Sequence, residues 1–393
     1  MIIHKLRNIF PLKGYVFQYL LIFASLFPLF VYLLSQNYNG FGSSVILYTV
    51  TLIGTISGAH VFASLYLLIS SKDYVGVKNP KLNLFFIPIL IISLNTLIIS
   101  FAPIFLLSIF MLFYIHYAMW HFGRQNIGVF AFSSYISSGK PMTYFERKLI
   151  SLGILAGVLG SYSVFAPTLM LNQDLFPFDL SVFDYTFSLI HYFGYGIYIT
   201  LIPIVFCYLF INFDKFIFSK HKISIEISPK LPTQKAHYLL LIICIFFFIP
   251  LYLSKNPSYS LASYTTAHGL QYLLFLLSHS LANANSKANI LISSTKSIHF
   301  KILFFPFVIM PIVLFITCIF LAIELWSFLA LVQVNGLAEF VSIISKELLM
   351  KIAYGLILGI TMAHYWVDQK LWKFNTKERR DWLSLNYPFL FNK

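Results

Sequence analysis

Residues 113–128 read FYIHYAMWHFGRQNIG, and this stretch is the starting point for the fold and the site. It closes a long apolar run and places His116, His121, Arg124 and Gln125 near the end of that run. Imidazole and guanidinium groups are costly inside hydrocarbon, so several of them together need polar partners or a function. The stretch therefore predicts one part of a polyhistidine metal site at the cytoplasmic border of a membrane.

The composition of the whole chain indicates an integral-membrane protein. Hydrophobic residues make up 59% of the 393 residues and charged residues only 10%, whereas about a quarter of an ordinary soluble domain is charged. The formal charge of +14 lies mainly in short loops between apolar runs, which argues against nucleic acid as a partner. Cys207, Cys244 and Cys318 lie inside apolar runs without CxxC spacing, so no thiolate site is predicted.

The apolar runs predict a single all-α transmembrane domain over residues 1–393 with about ten spans. Basic loops alternate with neutral or acidic loops along the chain, which predicts that both termini lie in the cytoplasm. Residues 370–393 are then a short basic cytoplasmic tail, and the lack of an organelle-targeting segment favours a bacterial inner membrane. The predicted spans are 15–35, 44–70, 83–101, 103–123, 147–168, 186–211, 236–253, 262–285, 301–332 and 348–369.

Five histidines on four of these spans share one depth. They lie about 5–18 Å above the first basic residue of the inner loop that follows, at a helical rise of about 1.5 Å per residue. Asp368 follows one turn after the last of them and shares its helix face, so it is expected to be a ligand or to orient that imidazole. The five predicted metal ligands are His60, His116, His121, His279 and His364.

Neutral imidazoles with a carboxylate suit iron, zinc, copper or manganese, and iron is the favoured ion, as one or two atoms. Asp368, Arg124 and Gln125 are the expected catalytic side chains, with Arg124 holding a carboxylate or phosphate at the mouth of the site. Gln125 would hydrogen-bond the ligands. The plainer alternatives are a hydrogen-bonded polar core without metal and, for Arg124, a cationic anchor on the cytoplasmic side.

Two details of spacing constrain this site. His116 and His121 are five residues apart, about 140° around a helix, so they converge only if the helix ends or bulges near Gly123. His268 and His279 lie about 16 Å apart along one helix, too far to hold one ion. His268 is instead grouped with His191 and Glu324 as a second, outer polar site, or as interfacial side chains that face headgroups.

The His116-x4-His121 spacing resembles the first histidine box of integral-membrane desaturases and hydroxylases, which carry a di-iron centre on the cytosolic side. The resemblance covers about six residues, because the chain has no HxxHH box and a different arrangement of spans. It implies, by analogy, an oxygen-activating polyhistidine site that faces the cytoplasm.

The favoured function is therefore a metal-dependent membrane oxidoreductase. Its substrate is expected to be a lipid, fatty acyl or isoprenoid chain that enters laterally from the surrounding membrane lipids, and its electrons would come from a cytoplasmic donor. A multi-pass transporter for a metal ion or a proton-coupled solute is the alternative from another class. A b-type haem protein with paired axial histidines is the third.

Overall fold

The computed structural model describes residues 14–37, 60–61, 77–169, 181–218, 231–253, 257–290 and 346–371, with Lys377 and Asp381. Every element in this part of the chain is a helix, which confirms the predicted all-α class there. A π-helical turn, Leu82–Phe86, precedes α3. The α-helices are α1 (Gly14–Ser25), α2 (Phe27–Asn37), α3 (Ile87–Phe101), α4 (Ile104–Ser138), α5 (Tyr144–Leu169), α6 (Ser181–Phe218), α7 (Leu231–Ile245), α8 (Ile249–Leu253), α9 (Pro257–Ile290) and α10 (Lys346–Leu371).

Five helices in the described ranges are long and apolar enough to cross a membrane: Gly14–Ser35, Leu82–Phe101, Phe105–Ser138, Tyr144–Phe165 and Tyr185–Asn212. Large apolar side chains stand exposed on them, among them Phe23 at 71% and Phe206 at 70%. Extended exposed apolar surface of this kind suits a lipid environment. The helices therefore indicate a membrane protein. The count of ten spans and the orientation of the termini stay predictions, and residues 301–332 and most of 44–70 lie outside the described part.

The described helices form two compact units, and the first contains α1, α2, α5, α6, α7 and α8 with most of α4 and α9. Within it, α5 packs against α6, α7 and α8, while α1 packs against α7. Glycines on α5 allow this close approach: Gly157 lies against the ring of Phe248, and Gly160 against Tyr252. Small residues at a helix interface are the usual device where lipid supplies no hydrophobic driving force.

The second unit contains α3, the π-helical turn, α10 and His60. Gly355 and Gly359 let α10 lie directly on α3, because a Cβ atom at these positions would stand 2.6 Å from Thr96 Cα and 2.8 Å from Ile92 Cα. Trp366 Nε1 donates a hydrogen bond of 2.9 Å to the carbonyl of Asn83. These contacts fix the position, relative to α3, of the helix that carries His364 and Asp368. The single domain over 1–393 and the tail at 370–393 stay predictions.

The helix that contains the fourth predicted span begins where the sequence predicts but extends beyond the predicted end. Ala102 is extended (φ −69°, ψ 142°) between α3 and α4, as expected for a residue that precedes a proline. However, α4 continues to Ser138 instead of ending at residue 123. The sequence predicts a loop from Arg124 onward, but buried residues such as Val129 and Phe130 follow it in the same helix. Gly123 does not end the helix; it packs against Ile154.

Candidate metal centre

Two imidazoles meet inside the first unit. His121 on α4 and His268 on α9 have ring centroids 4.8 Å apart at an interplanar angle of 73°. Their side chains are buried, with 4% and 1% exposure. Phe122, the next residue along α4, also packs on the ring of His268 at 4.9 Å. The pair therefore sits in a dry, aromatic-lined interior.

An amide network one turn further along both helices holds this pair in register. Gln125 Nε2 donates to the carbonyl of His268 at 3.0 Å and to Gln271 Oε1 at 3.0 Å. Gln271 Nε2 in turn donates to Ser25 Oγ at 2.7 Å and to Asn126 Oδ1 at 3.1 Å. Buried amides are costly unless hydrogen-bonded, so the network joins α1, α4 and α9 at one level. It fixes the rotation of the two helices that carry His121 and His268.

A second set of side chains meets inside the second unit. On α10, His364 Nε2 lies 3.3 Å from Asp368 Oδ2, the i,i+4 contact that the sequence predicted. The ring of His60 stands edge-on to that of His364, with centroids 4.7 Å apart. All three side chains are buried. A carboxylate in contact with an imidazole holds its tautomer and orientation, which is the usual partner of a metal-ligating histidine.

Each unit therefore contains buried side chains of metal-ligating type: the imidazoles of His121 and His268 in the first unit, and those of His60 and His364 with the carboxylate of Asp368 in the second. Such side chains could hold a metal ion, because imidazoles with a carboxylate are a common donor set for first-row transition ions. The carboxylate also offsets part of the ion's charge in an interior from which water is excluded.

His116 makes different contacts within the first unit. Its Nδ1–H donates to the carbonyl of Leu112 at 2.6 Å, and its ring lies on Tyr162 with centroids 3.6 Å apart. Because α4 is continuous through residue 121, His116 and His121 keep the angular separation of about 140° that an ideal helix imposes. His116 therefore faces α5, and His121 faces α9. The assignment of His116 as a metal ligand stays a prediction.

The remaining predicted residues are placed as follows. Arg124 is exposed on α4, whereas Gln125 belongs to the amide network. His279 lies on α9, but its side chain is not among those described. Glu324 lies outside the described residues. His191 Nδ1 lies 2.6 Å from Ser163 Oγ, a contact between α5 and α6 that does not involve His268.

Sequence reasoning missed the role of His268 and the amide network. A depth measured from Arg124 or Lys287 assumes that each helix ends near that residue, but α4 and α9 continue through these positions and are 35 and 34 residues long. A usable signal was present in the polar i,i+3 pair His268 and Gln271 within an apolar run. The adjacent amides Gln125 and Asn126 were a second signal.

No protein-family model, curated protein or solved structure matches this chain.

Proposed function

We propose that the chain is a metal-dependent membrane oxidoreductase whose metal ligands are His121 and His268 in the first unit and His364 and Asp368 in the second. The observation that carries the proposal is the ring contact between two buried imidazoles within each unit, one of them beside a carboxylate. His60, in ring contact with His364, supports that ligand or takes part in a second ion site. The assignments of His116 and His279 as ligands stay predictions from the sequence, and the proposed set leaves them out.

The types of ligand support a redox ion such as iron. Iron accepts imidazole and carboxylate ligands and prefers more than four ligands in all, so a few such side chains would leave positions open for oxygen. Zinc, in contrast, is usually closed by four protein ligands in a structural site.

The surroundings favour an apolar substrate. His121 and His268 are buried beside the ring of Phe122, and the chain has the composition of a membrane protein. Oxidation of a lipid C–H bond would place one oxygen atom of O₂ in the substrate and release the other as water. An external donor would supply two electrons and two protons, since the sequence carries no flavin or nicotinamide fingerprint. Gln125 would act in this chemistry by positioning His268.

Metal analysis of the purified protein, combined with optical and paramagnetic resonance spectra, tests this proposal. We expect about one to two iron ions per chain and oxygen consumption that needs both a reductant and lipid vesicles. His121→Ala and His364→Ala should each abolish iron binding, while His191→Ala should retain it. Protein that contains no transition metal, or that keeps its metal in both variants, contradicts the proposal.

A metal-ion transporter is the second candidate, and complete burial of the ligands favours it. The side chain of His364 is fully buried, so a bound ion would be shielded from water, as in an occluded transport site. Proteoliposomes should then take up zinc, manganese or iron without a reductant, and His268→Ala should stop the flux. Flux without oxygen consumption would select this candidate, and the reverse would select the enzyme.

A further inference from the structure

An apolar groove lies on the surface of the first unit, and none of its lining residues is a histidine. It is formed by α5 and α6, has a volume of 390 Å³, and has almost no polar wall. The volume lies in the range of about 300–1,000 Å³ that is typical of small-molecule sites. Its lining residues are Phe145, Pro203, Ile204, Cys207, Tyr208 and Ile211.

The groove is a built feature, because hydrogen bonds hold one wall in place. Tyr208 OH donates to Glu146 Oε1 at 2.9 Å, and the ring of Tyr208 lies 5.2 Å from that of Phe145. The second oxygen of Glu146 accepts from the backbone N–H of Thr143 at 2.7 Å. Glu146 itself is buried, so its carboxylate is directed to these donors and not to the groove mouth. A ligand would therefore meet a preformed apolar wall.

One cation borders the groove at one end. Lys148 follows Phe145 by three residues and so shares its helix face, and Lys148 Nζ lies 5.2 Å from the ring centroid of Tyr144. Lys148 is exposed. Tyr144 begins one candidate span and Asn212, one residue after Ile211, ends the antiparallel one. The cation and an exposed tyrosine therefore lie at a membrane border, the level of lipid headgroups.

We propose that this groove binds a membrane phospholipid with an anionic headgroup. One acyl chain fills the apolar groove, and the phosphate is held by Lys148. Lysine and arginine at a membrane surface attract anionic lipids, and each buried methylene adds to the affinity. The site does not involve the proposed metal ligands, so it stands whether or not the chain binds a metal.

Native mass spectrometry of the detergent-purified protein, titrated with phosphatidylglycerol or phosphatidylcholine of equal chains, tests the charge selection. We expect one phosphatidylglycerol per chain to be retained in preference to phosphatidylcholine. Lys148→Gln should remove this preference and leave chain binding intact, whereas Arg147→Gln, a cation on the opposite face of the same turn, should retain the preference. Equal retention of both lipids by the unaltered protein shows only the ordinary lipid shell and overturns the proposal.

Cys207→Trp tests the groove, because the indole would fill it. Retention of phosphatidylglycerol should fall by about tenfold or more, since the displaced chain loses several buried methylenes. Ile199→Trp is the matched control, as Ile199 is an exposed residue of α6 that does not line the groove. Equal lipid retention by the two tryptophan variants contradicts the proposal.

Alkylation of the native thiol gives a test that leaves the groove intact. In a Cys318→Ser background, a maleimide should label exposed Cys207 in detergent and leave buried Cys244 unlabelled. Phosphatidylglycerol should slow that labelling severalfold, whereas phosphatidylcholine at the same concentration should not. Labelling at one rate with both lipids would rule the site out even if a tryptophan variant had failed to fold.

Discussion

At the scale of the residue, His268 and His116 provide the sharpest test of the metal centre. His268 Nδ1 and Nε2 are buried beside His121, whereas His116 is hydrogen-bonded to Leu112 and stacked on Tyr162. We expect His268→Ala to lower metal affinity by about tenfold or more, and His116→Ala to leave it unchanged. Metal per chain after dialysis against a weak chelator measures both. Loss of metal in His116→Ala alone would instead support the set of ligands predicted from sequence.

A different residue, Glu146, is expected to matter for stability. It accepts hydrogen bonds from Thr143 and Tyr208, and its Oε1 lies 3.5 Å from His237 Nε2. Glu146→Ala should lower the free energy of unfolding by about 1–3 kcal/mol, because the hydrogen bonds that this buried carboxylate accepts are lost.

Thermal unfolding in detergent measures this loss. Arg147→Ala, on the exposed face of the same turn, should change stability by less than about 0.5 kcal/mol. Glu146→Gln keeps an acceptor oxygen and should lose less stability than Glu146→Ala. An unchanged unfolding temperature in Glu146→Ala would show that the cluster contributes nothing to the fold.

At the scale of the element, glycines decide how closely α10 approaches α3. A Cβ atom at Gly355 would lie 2.6 Å from Thr96 Cα, so Gly355→Ala must push the two helices apart and should cost about 1–3 kcal/mol. Gly196 on α6 has no atom within 4 Å of the same position. There the alanine should stabilise the helix by up to about 1 kcal/mol. Opposite shifts in unfolding temperature are the expected result, and equal shifts would contradict the packing.

The bounds of a helix could be predicted from the sequence where a single local signal, such as a proline or the length of an apolar run, determines them. The proline at position 103 ended α3, and apolar length located α5, which the structure bounds at Tyr144 and Leu169. The end of α4 could not be found this way, since Arg124 is a charge within a helix and its neighbours are satisfied by other helices. The contacts among the candidate metal ligands divide in the same way, into one that local spacing predicts and one that it does not. The contact of His364 with Asp368 follows from i,i+4 spacing, whereas the contact of His121 with His268 depends on tertiary packing.

At the scale of the whole molecule, the alternation of basic loops predicts an even number of spans and both termini in the cytoplasm. An antibody should therefore bind epitope tags at the two ends only after the membrane has been permeabilised. A tag at residue 38 should be reached from the opposite side. Opposite accessibility of the two terminal tags would require an odd number of spans.

Metal binding and folding should be linked across the whole chain. Ion bound at a concentration of about one hundred times its dissociation constant would stabilise the folded state by about 2.7 kcal/mol. A strong chelator should therefore lower the unfolding temperature. The loss should be smaller at pH 5.5 than at pH 7.5, because protonated imidazoles bind the ion less well and the protein then holds less of it. An unfolding temperature that a chelator changes at neither pH would show that metal binding does not stabilise the folded state.

The length of α4 has a consequence for the membrane that houses this protein. A helix of 35 residues extends for about 52 Å, well beyond a hydrocarbon core of about 30 Å. Such a rod must lean or project from the bilayer, and thicker membranes relieve the mismatch. The protein should therefore partition toward bilayers of long-chain lipids and gain heat resistance as acyl length increases.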